Sequence, residues 1–328
     1  MYVHHLNLLR CPRSQHPLTL SSCGPSVDGF VANGALVCEP CSTEYPIVGG
    51  VPRFVARENY ASGFGLEWLR HAKTQYDSHS GIKESERRFY EQTHWSRELT
   101  GQLVLEVGSG SGRFTEQAAL TGATVVSLDY SYAVEANFAS NGHRRNVLIV
   151  QADMFAMPFP HDEFDKVFCF GVLQHTPDPR AAFDALPPFL KPGGSLCADI
   201  YSATLLRTLL NTKYYVRPFT RKLDPARLYD AVVKYVDFMW PLATLIRRLP
   251  RGHGINWRLL VADYSPLGLE DAILKEWAYL DTFDMLAPRY DMPVRKATFT
   301  KWFTDAGLSD IQTELTGHGV VGRAQRSV

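Results

Sequence analysis

The chain has 328 residues, with Lys plus Arg and Asp plus Glu balanced at 34 each and hydrophobic residues at 45%. This length supports one large or two unequal domains with a sizeable core, and zero net charge argues against a whole surface built to bind nucleic acid electrostatically, although local patches stay open. No apolar run reaches the ~18 residues that span a bilayer, and MYVHHLNLLRCP has no basic segment followed by a long apolar one, so no secretion signal is expected and the cytoplasm, where thiols stay reduced, is the expected compartment.

Of the six cysteines, Cys169 and Cys197 lie in apolar runs and read as core residues, whereas Cys11, Cys23, Cys38 and Cys41 crowd into the first 41 positions. Residues 1–56 read as a small module ended by Gly49, Gly50 and Pro52. It holds a C-x-x-C at Cys38 and Cys41, followed by STEYPIVGGVPRF and preceded by LLRCPRSQHPLTL. Two facing Cys turns would make a tetrahedral thiolate site, the staple that a module of this size needs. The C-x-x-C followed by YPIVGGVP resembles the zinc-ribbon-like domain found in activator subunits of tRNA methyltransferases and fused to some methyltransferases. The chain departs from that pattern at CPRS, where Ser14 stands at the usual second-cysteine position. A structural zinc would then be held by Cys11, Cys38 and Cys41 with Cys23 or His16 as fourth ligand; the alternative is a set of buried thiols.

Residues 57–101 carry Phe64, Trp68, Tyr76, Phe89, Tyr90 and Trp95 at irregular spacing, with a charged helix expected from Ser85 to Arg97. Two readings stand for these aromatics. They form a lid over a ligand, with Gln75 and Tyr76 as contacts, or they glue helices to a sheet.

From residue 102 strands and helices alternate: strands at 103–107, 124–128, 147–151, 165–170 and 195–201, with helices from 113, over 132–140 and over 180–190. This predicts a parallel sheet covered on both faces, with ligands at the carboxyl ends of its strands. The first strand runs into LVLEVGSGSGRF, a strand, a tight glycine turn and a helix start. Such a turn brings a ligand against bare backbone, and the helix start offers unpaired N–H groups to an anion. The glycines run G-x-G-x-G, and Arg113 stands where a dinucleotide fingerprint needs its third glycine, which disfavours a pyrophosphate ligand. Asp129 ends the second strand, 17 residues beyond Gly112, where a carboxylate can accept both hydroxyls of a ribose.

In residues and in order this stretch resembles the class I S-adenosylmethionine (SAM)-dependent methyltransferases over about residues 96–202. EVGSGSG is similar to their first motif, QADMFAMPF to their adenine segment, DKVFCFGVLQHTPDP to their fourth strand and active-site rim, and LKPGGSL to the turn into their fifth strand. The resemblance implies an α/β fold: a doubly wound Rossmann-like sheet with an antiparallel last strand. It implies SAM as cofactor, with Glu106, Gly108, Ser109, Gly110 and Gly112 at its amino-acid end and Asp129 with Tyr130 at the ribose. Asp153 and Met154 would take the adenine, and Gly171 and Gln174 complete the set. His175 has the pKa range to take a proton from an acceptor hydroxyl, or it lines the cofactor pocket.

Residues 203–297 read as an insertion of several helices, with Pro218, Pro225, Pro241, Pro250 and Pro266 as breakers, hanging over the active-site edge as a cap. Within it Val232 to Leu249 is apolar and turns basic at Arg247, Arg248 and Arg251. Asp237 and Pro241 exclude a bilayer span, which leaves a hydrophobic cap helix or a membrane-surface helix. Residues 298–328 supply a closing helix and two strands. The expected reaction is methyl transfer from SAM to a small-molecule acceptor, oxygen ahead of nitrogen or carbon, and any zinc is structural. The alternatives are an RNA base methyltransferase and a non-catalytic SAM-binding scaffold that activates a partner. Arg207, Arg217, Arg221, Arg227, Arg247, Arg248, Arg251 and Arg258 favour RNA if they form one stripe. The GVLQHTPDP rim resembles small-molecule enzymes and lacks the N/D-P-P-[YF] rim used on nucleic-acid amino groups, so a nucleic-acid partner is not expected.

Overall fold

A computed structural model of the chain describes residues 1–23, 28–56, 59–203 and 211–328, without the side chains of Ser22, Cys23 and Ser62. Seven strands, β5 (Leu103–Val107), β6 (Thr124–Asp129), β7 (Val147–Gln151), β8 (Phe164–Cys169), β9 (Leu190–Ile200), β10 (Leu308–Thr316) and β11 (Gly319–Arg326), form one sheet in the order β10-β11-β9-β8-β5-β6-β7. The pairs among β5 to β9 are parallel, and β11 slots antiparallel between β9 and β10. Every residue of β5 and β7 is buried, as strands covered on both faces require. Leu105, Val107, Leu128 and Val150 face one apolar layer, and Val104, Val125, Ile149 and Phe168 the other, which is the period of two of a pleated strand. Strand order reverses between β5 and β8, so the crevice for a ligand opens at the ends of those two strands.

The boundaries differ from the sequence reading where backbone chemistry intervenes. β9 begins at Leu190, ahead of the expected 195, because a register shift against β8 absorbs the Pro192-Gly193-Gly194 stretch. The helix expected over 180–190 stops at Asp184, and Pro187 and Pro188, which cannot donate, form a separate single turn. The helix expected from Ser85 to Arg97 runs Glu84–Thr93 and ends on His94 in the left-handed region, at φ 56°.

The N-terminal module is an antiparallel sheet of β1 (Thr19–Cys23), β2 (Gly34–Cys38), β3 (Thr43–Val48) and β4 (Val51–Pro52). Its exit bridges the edge of the large sheet: Arg53 pairs with Gln151, and Phe54 N donates to Gln151 O at 2.8 Å. Leu9, Leu36 and Ile47 join the same apolar cluster as Leu148 and Val150, so the ribbon covers the edge strand β7.

Between Ser202 and Val294, which pair across the exit and return of the insertion, stand helices Lys213–Thr220, Pro225–Ile246, Gly252–Arg258 and Asp271–Leu286. They have their own core of Leu228, Val232, Val236 and Trp240 against Leu274, Ala278 and Phe283. Pro218 and Pro241 are not breakers: both lie inside helices. The long helix keeps its course through Pro241 because a buried stripe from Leu228 to Ala243 packs along it, outweighing the ~3 kcal/mol that an interior proline costs. Pro225 begins that helix at its first position, where no N–H is needed, behind an Asp224 side chain that accepts from Arg227 N.

Candidate active site

The crevice is floored by the glycine turn. Gly108, Gly110 and Gly112 have φ of +83°, +54° and +91°, and a Cβ would fall 2.1 Å from Val172 Cγ2 at Gly108 and 2.1 Å from Asn137 Oδ1 at Gly112. The turn is held by Gly108 N and Ser109 N donating to Leu128 O at 2.7 and 3.0 Å and by Gly110 N donating to Asp129 Oδ2 at 2.8 Å. It runs into helix Arg113–Leu120, whose start has no side-chain cap, leaving first-turn N–H groups without helical partners. Tyr76 braces the turn from outside, donating to Ser111 O at 2.7 Å and accepting from Asn141 Nδ2 at 3.0 Å; Gln75 is buried beside it.

Glu106 is buried, and its Oε2 accepts from Thr115 Oγ1 and, at 2.9 Å, from Ser127 Oγ. Asn137 Nδ2 donates to both of those hydroxyls at 2.9 Å. Burial pushes the Glu106 carboxyl up to about 8, so it holds a proton at neutral pH and ties β5 and β6 to the following helix.

At the end of β6 Asp129 is half-buried and accepts from Ser131 N at 2.8 Å and Ser131 Oγ at 2.7 Å with its second oxygen. Burial raises its carboxyl, and the donors from Gly110 and Ser131 oppose that shift. Tyr130 follows, its ring 5.0 Å from Tyr60. Asp153 caps the single turn Met154–Ala156, accepting from Phe155 N at 3.0 Å, and Met154 is buried behind it. Burial, then the charges of Asp153 and Tyr130, raise the Tyr60 hydroxyl. Asp129, Tyr130, Asp153 and Tyr60 thus share one end of the crevice. Tyr60 was not singled out in the sequence, where its only signal is membership of an aromatic-rich lead-in.

The opposite wall follows β8. Gly171 N donates to Asp199 Oδ1 at 2.5 Å, and Asp199 pairs with Arg88 at 2.8 Å. Gln174 is 0% exposed, and among the described residues neither atom of its amide has a partner; the Ser109 hydroxyl is likewise buried and unpartnered among them. Buried polar groups are seldom left so, and both belong to the set expected to hold SAM. His175 stands between Phe64 and Tyr201, with ring centroids at 5.2 and 5.4 Å. Its Nδ1 is 2.9 Å from Tyr290 O; a carbonyl only accepts, so Nδ1 carries the proton and Nε2 the lone pair. Burial lowers its pKa, with Asp284 and Asp291 opposing, and the ring is neutral at physiological pH.

The cap adds groups that sequence spacing did not reveal. Tyr201 OH reaches Asp284 Oδ2 at 3.5 Å, and Lys213 pairs with Asp291 at 2.8 Å alongside Arg217. Glu67, 1% exposed, faces Asp281 and Asp284 electrostatically, and one of its oxygens has no partner among the described residues. Burial, then Asp284 and Asp281, push its carboxyl well up, and burial brings Asp281 to about 7.

In the ribbon the thiols of Cys11, Cys38 and Cys41 lie within 4.8 Å of one another. Ser14 Oγ is 3.2 Å from Cys38 Sγ and 3.9 Å from Cys41 Sγ, at the place of a fourth ligand. His16 is exposed and outside this group, and the Cys23 side chain lies outside the described residues. Burial works to raise the Cys11 thiol, but bonds from Ser14 and Tyr45 bring it down to about 6, the thiolate form that binds metal. Three converging sulfurs with an adjacent hydroxyl fit a tetrahedral zinc. Cys169 and Cys197 are both fully buried.

Residues 105–198 match the methyltransferase domain family, and residues 4–50 match the Trm112p-like protein family. The chain is 31% identical over 179 residues to a ubiquinone biosynthesis O-methyltransferase of Thiobacillus denitrificans, covering 52% of this chain and 71% of that protein. A protein of the same name from Xylella fastidiosa is 34% identical over 128 residues, 36% of this chain and 51% of its own length. Thus the chain spans about half the length of the second relative. Among solved structures, a chain of the complex between the Haloferax volcanii Trm112 methyltransferase activator and a methyltransferase aligns at 14% identity and TM-score 0.45, over 84% of this chain and 100% of that one.

Proposed function

We propose that this chain, which belongs to the SAM-dependent methyltransferases, moves a methyl group to a hydroxyl of a small-molecule acceptor held between the sheet and the cap. The relatives are named O-methyltransferases, which supports oxygen as the acceptor atom. The five described cysteines are free thiols, in keeping with the reducing cytoplasm as the compartment.

SAM, when bound, supplies an electrophilic methyl on a sulfonium. The glycine turn and the uncapped helix start receive its carboxylate end, Asp129 with Tyr130 its ribose, and Asp153 with Met154 its adenine. Ser109, Gly171 and Gln174 complete the binding wall, and Glu106 keeps the turn on its strands. His175, fixed at Nδ1 by the Tyr290 carbonyl, takes the acceptor's proton at Nε2 as the new O–C bond forms. The cap excludes water from that step and orients the acceptor. The observation that carries this reading is the Gln174 amide, wholly buried beside His175 with no partner among the described residues.

The test is incubation with methyl-labelled SAM and separate small-molecule and RNA extracts. Label in the low-mass fraction is expected, and His175→Asn is expected to lower kcat about 10²-fold while leaving the SAM Kd unchanged. Because the His175 pKa is lowered, the acid limb of wild-type activity should fall below the ordinary value for histidine. Label confined to RNA, or no transfer by protein that binds SAM, overturns the proposal.

A further inference from the structure

The long cap helix, Pro225–Ile246, is apolar on two faces, and the fold uses only one. Its inner stripe, Leu228, Val232, Val236, Trp240 and Ala243, is buried against helix Asp271–Leu286, which carries Asp281 and Asp284 of the acceptor side. A second stripe, Tyr235, Phe238, Leu242 and Leu245, runs at spacings of three and four residues, which keeps it on one line of the helix, and Leu249 follows in the turn beyond it. Phe238 is 82% exposed, Leu245 58%, Leu249 54% and Leu242 46%. A folded core leaves no such row of large side chains in water without a reason.

The charges beside the stripe point to its occupant. Arg227, Lys234, Arg248, Arg251 and Arg258 are exposed, and among the described residues none of them is in an ion pair. The nearby acids are engaged: Asp230 pairs with Arg70, Asp237 with Lys275, and Asp224 caps the helix. The two arginines that would have made this a uniform basic stripe, Arg217 and Arg247, are turned inward onto Asp291 and Asp263, and Arg207 lies outside the described residues. What remains is an apolar line flanked by cations, about 15 Å long from Tyr235 to Leu245 at 1.5 Å per residue.

We infer that this face docks the protein in the plane of an anionic lipid bilayer, with Phe238, Leu242 and Leu245 among the acyl chains and the arginines at the headgroups. No helix among the described residues is long and apolar enough to cross a membrane, so the contact is peripheral. Two copies of this face against each other would bring like-charged arginines together, which disfavours a second copy as the occupant. The inference does not depend on the acceptor. It places the cap, and the cleft one helix below it, at the lipid surface.

Flotation of the full chain with vesicles tests this. Protein is expected to float with phosphatidylcholine vesicles that contain phosphatidylglycerol, less with phosphatidylcholine alone, and less at high salt. Phe238→Asp combined with Leu245→Asp is expected to cut the bound fraction about tenfold or more. Both side chains are exposed, so the melting temperature and SAM affinity should stay at wild-type values; Arg248→Glu with Arg251→Glu should remove only the preference for phosphatidylglycerol. Wild type that stays unbound at low salt, binding indifferent to the double aspartate variant, or a dimer dissolved by Phe238→Asp with flotation unchanged would each overturn it.

Discussion

Asp129→Ala removes a side chain that works in two directions. Toward the protein it accepts from Gly110 N at 2.8 Å and from Ser131 N and Oγ at 2.8 and 2.7 Å; in the proposed cofactor site it is the acceptor for two ribose hydroxyls. Each net hydrogen bond contributes about 1 kcal/mol, somewhat more to a charged acceptor, so two lost ribose bonds come to about 1.5–3 kcal/mol and roughly ten- to hundred-fold in Kd. Releasing Gly110 N loosens the turn and pushes the result toward the upper end. Asp129→Asn should fall between, since its amide oxygen can still serve Ser131 while its NH2 cannot accept from Gly110 N. The carboxyl's raised pKa adds a pH signature: protonation removes an acceptor, so wild-type affinity should weaken toward acid, starting above the range of an ordinary aspartate. Calorimetric titration of SAM into folded wild type and both variants measures all three effects. Binding by Asp129→Ala within about twofold of wild type would refute the reasoning.

Gly171→Ala and Gly112→Ala separate backbone strain from crowding. A Cβ at Gly171 meets nothing within 4 Å and should cost only about 1 kcal/mol for its left-handed φ, whereas at Gly112 it strikes Asn137 and should cost about 3 kcal/mol or more in denaturant melts. Metal analysis of protein purified without chelators should find one zinc per chain, lost in Cys38→Ala; less than about a tenth of an equivalent would mean a ribbon held by thiols alone. Arg88→Ala strands Asp199, whose side chain is 3% exposed, without its ion-pair partner and should destabilise by about 3–5 kcal/mol. A loss under about 1 kcal/mol would show that Asp199 is satisfied by Gly171 N alone.

The sheet was legible because its strands announce themselves locally: residues 147–150 form a continuous apolar run bounded by Asn146 and Gln151, and the glycine turn has one backbone reading. Reading failed where distant partners decide. Pro241 breaks a helix on local rules, but the Leu228 to Ala243 stripe has the whole cap to pack on. His16 is a good ligand type near Cys11, yet the chain turns Ser14 toward the sulfurs instead. Tyr60 meets Tyr130, and Glu67 meets Asp281 and Asp284, across separations that no periodicity records.

Those last carboxyls bear on the chemistry of the cleft. A rim with Glu67, Asp281 and Asp284 fully ionised would be strongly negative, and the cations that act on Asp281, Arg88 and Arg113, the latter with its own pKa lowered by burial to about 10, do not match three acids. The raised pKa values of Glu67 and Asp281 ease the conflict by favouring the protonated acids, Asp281 in part, since its pKa of about 7 lies at neutral pH, and a protonated acid is a hydrogen-bond donor rather than a charge. Donors of that kind suit the neutral, oxygen-bearing acceptor proposed above and are compatible with the proposed role of the His175 ring as base. In the proposed function the cap shields these acids: water admitted beside Glu67 would lower the cost of ionising it and return the charge that burial suppresses.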